Sequence, residues 1–265
     1  MTQSLTLRVQ NLSISIAGTD VVHDVSFEVA AGERVGIIGG SGSGKTLTAL
    51  AIAGLLPDEA TATGSVQIGQ PDGTTTELLS LSERELAKLR GDQIGMVFQE
   101  PKTALSPFQT LGTQMTDALA LHYRLSRSER QAAAVRLATQ VSLKDPARMV
   151  NAYPHEVSGG QRQRAAIAAA ISASPGLLLA DEPTTALDVS VQRGVLDLFN
   201  TIVDRGDCSL LCISHDIAAI QLVSDRILVF DAGRVVESGS TLEILERPAH
   251  AITRALIAAA GGAPA

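Results

Sequence analysis

The sequence predicts an α/β fold with a largely parallel main sheet, a smaller antiparallel sheet near the N-terminus and an inserted helical segment. Short apolar runs alternate with helical patterns in the second half of the chain. The first 30 residues alternate apolar and polar side chains, as half-buried strands do. Prolines break amphipathic stretches within residues 100–158. Strands that alternate with helices imply a parallel sheet covered on both faces.

The composition allows a sizeable core and argues against a general nucleic-acid-binding surface. Of 265 residues, 45% are hydrophobic and 18% are charged. The net charge of −7 argues against a general nucleic-acid surface, because phosphate backbones require clustered Lys and Arg. Cys208 and Cys212 flank an apolar run and are predicted to be small core side chains. Neither a signal peptide nor an apolar run of about 18 residues is recognisable, which predicts a cytoplasmic chain.

The first hundred residues contain mainly strand patterns. The clearest helix start is Ser82, which has Glu85 three positions later as a capping box. Predicted strands cover 5–16, 24–30, 34–38, 63–69, 74–78 and 94–98.

Residues 39–46 read Gly-Gly-Ser-Gly-Ser-Gly-Lys-Thr, between a β-branched apolar strand and a helix-forming run. Glycines allow a tight turn whose N–H groups point at an anion, and the helix adds its positive N-terminal end. We expect Lys45 to contact the β- and γ-phosphates and the Thr46 hydroxyl to bind Mg²⁺. The alternative is a glycine-rich turn that binds nothing. The predicted phosphate-binding residues are Gly39, Gly40, Ser41, Gly42, Ser43, Gly44, Lys45 and Thr46.

The second half of the chain alternates helices and strands. A helix over 126–141 begins at Ser126, with Glu129 at its third position. Further helices are predicted over 160–173, 188–203, 216–222 and 242–245, strands over 177–181, 210–214 and 227–230, and a frayed tail over 261–265.

Residues 177–182 read Leu-Leu-Leu-Ala-Asp-Glu, an apolar strand that ends in two acids. In phosphate-loop proteins such a strand is expected beside the strand of the loop itself. Asp181 is then placed to hold Mg²⁺. Glu182 is placed to polarise a water for attack on the γ-phosphate. The alternative is an acidic pair on the surface at a strand end.

Residues 157–164 read Val-Ser-Gly-Gly-Gln-Arg-Gln-Arg. With the two motifs above, this run resembles the signature loop in the nucleotide-binding subunit of an ATP-binding cassette (ABC) transporter, with Val157 where Leu is usual. The resemblance covers nearly the whole chain and implies a P-loop NTPase (RecA-like) core. It implies a catalytic core with its β subdomain over 1–98 and 159–240, a helical subdomain over 99–158, and C-terminal helices and a tail over 241–265.

The resemblance also implies how ATP is held. Two subunits pack head to tail, and each ATP lies between the phosphate loop of one subunit and the signature loop of the other. The residues acting in trans are Ser158, Gly159, Gly160 and Gln161. Because the first three open a helix, they form a second anion-binding N-terminus. The alternative is an ordinary helix cap.

Other family elements are implied residue by residue. Gln99 matches the Q-loop glutamine, which contacts Mg²⁺ or the attacking water and links the site to the membrane partner. Residues 185–188 match the D-loop, which crosses the dimer interface and ends at Asp188, and His215 matches the switch histidine that contacts the γ-phosphate. The aromatic residue that normally stacks on adenine falls near Ile16 or Ala17, so adenine contact is expected to be weaker or supplied elsewhere. The remaining histidines are predicted to be structural or exposed.

Residues 98–112, with 153–156 and 248–256, resemble ATPases of dipeptide, oligopeptide and nickel importers. The chain stops at Ala265 without a cysteine-containing extension, which favours nickel- or metallophore-type members. The expected cofactors are ATP and Mg²⁺. The expected partners are permease subunits, a second ATPase subunit and, through the permease, an extracytoplasmic substrate-binding protein, with no nucleic acid. The expected location is the cytoplasmic face of the membrane.

The function implied is ATP hydrolysis that powers import of a peptide, nickel or a metal chelate through a separate permease. One alternative is the ATPase of an exporter, and the other is a soluble ABC ATPase acting on DNA or ribosomes. Only about 60 residues separate Gln99 from Ser158 and they lack sustained heptads, which argues against the DNA-acting members.

Overall fold

Ten strands form two sheets in the computed structural model, which describes residues 5–70, 72–99, 105–185, 187–205 and 208–260. A four-stranded antiparallel sheet has the order β2-β1-β4-β5, and a six-stranded sheet has the order β10-β9-β3-β8-β7-β6. The strands are β1 (Leu5–Ile16), β2 (Thr19–Ala30), β3 (Arg34–Gly39), β4 (Ala60–Gly69), β5 (Thr75–Glu77), β6 (Ile94–Val97), β7 (Leu177–Asp181), β8 (Ser209–Ile213), β9 (Arg226–Asp231) and β10 (Arg234–Ser240).

Helices cover the six-stranded sheet and form the segment between β6 and β7. The α-helices are Lys45–Ala53, Glu83–Leu89, Leu111–Met115, Asp117–His122, Arg127–Gln140, Pro146–Met149, Gly159–Ala170, Val189–Asp204, Ile217–Ile220, Thr241–Glu246 and Ala251–Ala259, with a 3₁₀ turn over Pro154–Glu156. No helix in the described part of the chain is long and apolar enough to cross a membrane.

The larger sheet is parallel except for β10, which pairs antiparallel with β9 at one edge. This confirms the predicted α/β class and the mostly parallel sheet. One expectation was wrong, because β7 does not lie beside β3. Strand β8 lies between them and pairs with both. The carboxyl ends of all three strands still meet at one edge, where ligands bind in open parallel sheets.

Two apolar layers pack on opposite faces of this sheet. Within β7, Leu177 and Leu179 join the layer shared with helix Lys45–Ala53 and the antiparallel sheet, whereas Leu178 and Ala180 join the layer under the other helices. All five β7 residues are buried, which explains the continuous apolar run that marked this strand in the sequence. Burial also raises the pKa of the Cys212 thiol to about 12, as expected of a core side chain.

Most predicted elements are present with small shifts in their ends. The capping boxes at Ser82 and Ser126 are both formed. The helix predicted over 160–173 ends at Ala170, three residues early. Strand β10 was not predicted, because it is a half-exposed edge strand without a clean apolar alternation. Position 71, between the predicted strands 63–69 and 74–78, and the predicted tail 261–265 lie outside the described residues.

Candidate active site

The phosphate loop connects the buried end of β3 to helix Lys45–Ala53. Two of its glycines are required by geometry. A Cβ on Gly39 would lie 2.3 Å from the carbonyl oxygen of Phe230. Gly44 has a φ of +95° at the helix N-cap, a left-handed conformation that side chains rarely adopt. The loop therefore folds closely over the end of β9, which places the helix N-terminus at the edge of the sheet.

Lys45 is buried with its ammonium group inside the loop. Its Nζ donates to the carbonyl oxygens of Gly39 over 3.0 Å and Gly40 over 2.7 Å, and to Ser43 Oγ over 3.3 Å. Desolvation lowers the pKa of Lys45, while the nearby Glu182 and Asp181 oppose that shift. A buried cation held by neutral acceptors is well placed to receive an anion.

The Asp181 carboxylate lies beside the phosphate-loop helix. Thr46 Oγ1 donates to Asp181 Oδ1 over 3.3 Å, although β7 and β3 are not neighbours. Burial raises the pKa of Asp181, with the Glu182 charge acting in the same direction and the Thr46 hydrogen bond and Lys45 charge opposing it. A hydroxyl and a carboxylate that converge are the oxygen donors that Mg²⁺ prefers. The donor set therefore fits a magnesium ion shared with a nucleotide.

Glu182 follows β7 in a left-handed conformation, with φ at +49°. A non-glycine residue in this region is uncommon, and such backbone strain is concentrated at functional sites. Its N–H donates to the carbonyl of Ile213 over 2.9 Å, which holds the strained residue against β8.

The Glu182 carboxylate and His215 form a close pair across neighbouring strands. The backbone N–H of His215 donates to Oε1 over 3.1 Å, and its ring Nδ1 lies 2.9 Å from Oε1 and 2.8 Å from Oε2. The Glu182 side chain is 11% exposed, whereas the His215 side chain is 66% exposed. The structure therefore brings together Glu182, which the strand motif assigned to polarising the attacking water, and His215, which the resemblance assigned to contact with the γ-phosphate.

Hydrogen bonds anchor the loop after β8 on both sides of His215. The N–H of Asp216 donates to Ser214 Oγ over 3.0 Å, and Asp216 Oδ1 caps helix Ile217–Ile220. Asp216 Oδ2 accepts from Gln192 Nε2 over 3.0 Å. The helix that follows the predicted D-loop is thereby joined to the His215 loop.

The predicted signature loop forms a self-contained helix start. Ser158 is the N-cap of helix Gly159–Ala170, and its Oγ accepts from the N–H of Gln161 over 3.3 Å. Gln161 Oε1 accepts in return from the N–H of Ser158 over 2.9 Å. Arg162 Nη1 donates to the carbonyls of Val157 and Pro154, which fixes the approach to the cap. A Ser–Gln capping box therefore presents this helix N-terminus.

Gly160 has a packing role that the sequence did not indicate. A Cβ on Gly160 would lie 2.4 Å from Val191 Cγ1, on helix Val189–Asp204. The signature helix and the helix after the D-loop can approach this closely only because the residue is glycine. Gly159, by contrast, has no atom closer than 3.9 Å to such a Cβ.

The structure gives the hydrogen-bond partners of Asp188, whereas Gln99 lies at the end of a described stretch of the chain. Asp188 caps helix Val189–Asp204, accepting from Ser190 Oγ over 2.7 Å and the Val191 N–H over 3.0 Å. These hydrogen bonds lower the pKa of Asp188.

Gln99 is exposed two residues after β6. Residues 100–104 and Ala186 lie outside the described residues, so the structure covers the importer-like run and the D-loop only in part.

Ile16 ends β1 and pairs with Thr19 on β2 and Ala60 on β4. Its side chain is half-buried, and Ala17 next to it is exposed. The turn between β1 and β2 carries no aromatic residue. Adenine recognition therefore stays an open prediction for this chain.

Two contacts at the site were not predicted from the sequence, one made by the first residue of the D-loop and one made by a turn glycine. The Thr185 hydroxyl donates to Glu182 Oε2 over 2.8 Å. Gly233, in the turn between β9 and β10, donates its N–H to the Ser43 carbonyl over 3.2 Å. A Cβ on Gly233 would lie 2.4 Å from the carbonyl oxygen of Val21. In the sequence, the Ala-Gly pair at 232–233 could have indicated this turn.

Residues 22–185 match the family model described as ABC transporter. The chain belongs to the ABC transporter family. This ABC protein is 44% identical to the probable peptide ABC transporter ATP-binding protein y4tR of Sinorhizobium fredii, over 90% of this chain and 70% of that protein. It is 40% identical to the metal-staphylopine import system ATP-binding protein CntD of Staphylococcus aureus, over 95% of this chain and 92% of that protein. It is 39% identical to the oligopeptide transport ATP-binding protein OppD of Escherichia coli, over 92% and 72% of the two chains.

Solved structures of ABC cassettes share its fold. The dimeric post-hydrolysis structure of the ATP-binding cassette MJ0796, bound to ADP and Pi, matches with a TM-score of 0.76 at 30% identity. The match covers 89% of this chain and 98% of that one. The family match, the ATP-binding relatives and this cassette together identify the ABC chain as an ATPase.

Proposed function

We propose that this ABC ATPase dimerises around ATP and powers import of a small solute, a peptide or a metal chelate, through a separate permease. The observation that carries the proposal is the pairing of Glu182 with His215 beside Asp181 and the phosphate loop. A carboxylate at this position can accept a proton from a water that attacks the γ-phosphate. The relatives named as import ATPases support the transport direction.

The phosphate loop supplies binding and charge balance. Lys45 exchanges its contacts with the Gly39 and Gly40 carbonyls for the β- and γ-phosphates, while the loop N–H groups and the helix N-terminus face the same anion. Thr46, Asp181 and Gln99 would hold Mg²⁺, which neutralises phosphate charge in such sites. Because charge stabilisation and positioning dominate phosphoryl transfer, these residues set nucleotide affinity and alignment.

The signature loop completes the site from a second subunit. Ser158, Gly159, Gly160 and Gln161 form a helix N-terminus at which Ser158 and Gln161 cap each other. The γ-phosphate bound by a partner subunit would replace the hydrogen bonds between Ser158 and Gln161. Hydrolysis removes that phosphate, and with it the contacts that keep the two subunits closed. The dimeric MJ0796 cassette supports this arrangement. Asp188 lies on the segment that we place at the interface.

The proposal also assigns partner proteins and a location to this chain. The chain acts at the cytoplasmic face of the membrane, bound to permease subunits and to an identical or related ATPase subunit. A substrate-binding protein delivers solute through the permease. Names among the relatives include peptide, oligopeptide and metal-staphylopine transport, so peptide and metal chelate, including nickel complexes, are the two substrate classes to test.

The test of the catalytic assignment is Glu182→Gln, an almost isosteric change that removes the base. We expect ATP binding to persist, turnover to fall by at least about 100-fold, and ATP-dependent dimers to accumulate in size-exclusion chromatography. Glu246→Gln is the matched control, because Glu246 is exposed on a C-terminal helix. Wild-type turnover in the Glu182→Gln protein would contradict the proposal.

The transport assignment needs the membrane partner. The ATPase is reconstituted with the permease that co-purifies with it, and hydrolysis is measured with and without a soluble substrate-binding protein. Stimulation by the binding protein with its peptide or metal chelate supports import. Stimulation by solute on the ATPase side, or activity tied to DNA or ribosomes, would instead identify the exporter or the soluble class.

A further inference from the structure

Thr185 contacts Glu182 from three residues further along the chain. Its hydroxyl donates to Oε2 over 2.8 Å, and its backbone N–H donates to the Glu182 carbonyl over 3.2 Å. The side chain therefore reaches back across a tight turn to the carboxylate. Thr185 also begins the segment 185–188, which leads to the N-cap Asp188 and the helix that Gly160 packs against.

The donors around Glu182 fill its acceptor positions. An ionised carboxylate offers about four lone-pair positions. In the structure Oε2 faces the Thr185 hydroxyl, Oε1 faces the His215 N–H, and the His215 ring Nδ1 lies within 2.9 Å of both oxygens. A water that is to lose a proton to Glu182 must therefore replace one of these donors.

The His215 ring is the donor that can leave. Its side chain is 66% exposed, and within the described part of the chain its ring hydrogen bonds are to Glu182. The His215 N–H is held by the anchored loop after β8. The Thr185 hydroxyl sits on a β-branched side chain whose χ1 is restricted, next to a turn closed by its own N–H. Two donors thus remain when the ring turns away.

We infer that Thr185 is a positioning residue for Glu182. Its hydroxyl keeps the carboxylate oriented toward the attacking water while the His215 ring is displaced. The inference rests on the proposed role of Glu182 as general base. Because Thr185 acts through Glu182, its loss should reduce kcat and leave nucleotide binding unchanged.

The test compares Thr185→Val with Thr185→Ser in the full chain, by steady-state ATP hydrolysis. Valine preserves shape without the hydroxyl, whereas serine preserves the donor. We expect Thr185→Val to lower kcat about 10-fold, the effect of one lost hydrogen bond to a charged group, with KM for ATP unchanged. Thr185→Ser should retain most of the wild-type kcat. Thr139→Val is the control, because Thr139 is exposed and its hydroxyl donates to the Val135 carbonyl within helix Arg127–Gln140.

The double variant Glu182→Gln/Thr185→Val separates this inference from the proposed function. We expect it to bind ATP and to form dimers as Glu182→Gln alone does. A normal kcat in Thr185→Val, an equal loss in valine and serine variants, or a parallel rise in KM would overturn the inference. If the Glu182→Gln protein itself turns over ATP, the proposed role of Glu182 as general base is wrong, whatever the Thr185 variants show. If the valine protein does not fold, Thr185→Ala provides the same comparison with serine.

Discussion

The hydroxyl of Thr46 lies 3.3 Å from a carboxylate oxygen of Asp181, although β3, which precedes Thr46, and β7, which ends at Asp181, are separated by β8. This contact joins the phosphate-loop helix to β7 across an intervening strand. It is possible because helix Lys45–Ala53 begins at the carboxyl edge of the sheet and packs against both β3 and β7. The pair gathers the oxygen donors of the proposed magnesium site.

Asp181→Asn should raise the stability of the nucleotide-free chain and abolish its response to Mg-ATP. Because burial raises the pKa of Asp181 above its unfolded value, the unfolded state ionises first. The contribution of Asp181 to the free energy of unfolding therefore falls as the pH rises from about 4, the pKa in the unfolded state, through the raised pKa in the folded state. At pH 7 the buried charge is a cost that asparagine removes.

The measurement is thermal unfolding at pH 7 with and without Mg-ATP. We expect Tm to rise by about 3 °C without nucleotide, a shift of roughly 1 kcal/mol in a domain of this size. Asp58→Asn, at an exposed position, serves as the control. A lower Tm for Asp181→Asn would show that its hydrogen bond to Thr46 outweighs desolvation.

Lys45→Ala should weaken nucleotide binding directly. The side chain is buried inside the loop with its ammonium on the Gly39 and Gly40 carbonyls, so its removal takes this positive charge out of the loop. A hydrogen bond to a charged partner contributes about 1.5–3 kcal/mol, which predicts at least about 10-fold weaker ATP binding by calorimetry. Lys88→Ala, on an exposed helix, should bind ATP normally. Equal affinity in the two variants would exclude Lys45 from the binding site.

Gly160→Ala should destabilise the chain, whereas Gly159→Ala should not. The added methyl group at 160 meets Val191, whose branched side chain cannot easily turn away. Overpacking of this kind costs about 1–3 kcal/mol. The neighbouring Gly159 has open space for a Cβ. Gly159→Ala therefore shows how an alanine at the helix start changes stability when it does not meet Val191.

The two variants are compared by urea unfolding, together with Gly160→Ala/Val191→Ala. Removal of the valine methyl groups should restore part of the lost free energy of unfolding. Equal stability of the two alanine variants would mean that the helices separate without cost.

Ile16→Trp should tighten ATP binding if this position faces the base. The turn after β1 lacks an aromatic residue, and Ile16 is half-buried at its edge. A stacked aromatic pair contributes about 0.5–1.5 kcal/mol, so about 5-fold tighter binding is expected. GTP affinity should rise as well, because every base has a π face. Ile16→Leu is the control, and identical affinities of the two variants would place the base elsewhere.

Local motifs explain why much of the site was predictable. The phosphate loop, the acidic end of β7 and the signature helix start each depend on consecutive residues. Successive N–H groups, a helix N-terminus or a strand end need no distant partner to be recognised. The capping boxes at Ser82, Ser126 and Ser158 likewise follow from residues three positions apart. The edge strand β10 lacks such a signal, because half of its side chains face solvent.

The sequence by itself determined the fold class, the phosphate loop, the acidic strand end and the family. These depend on apolar periodicity and short-range backbone geometry. Only the tertiary structure decided that β8 separates β3 from β7, that His215 meets Glu182 from 33 positions away, and that Gly160 packs on Val191. Strand order and close helix packing depend on how apolar faces from the whole chain are buried together. Local patterns do not encode which faces meet.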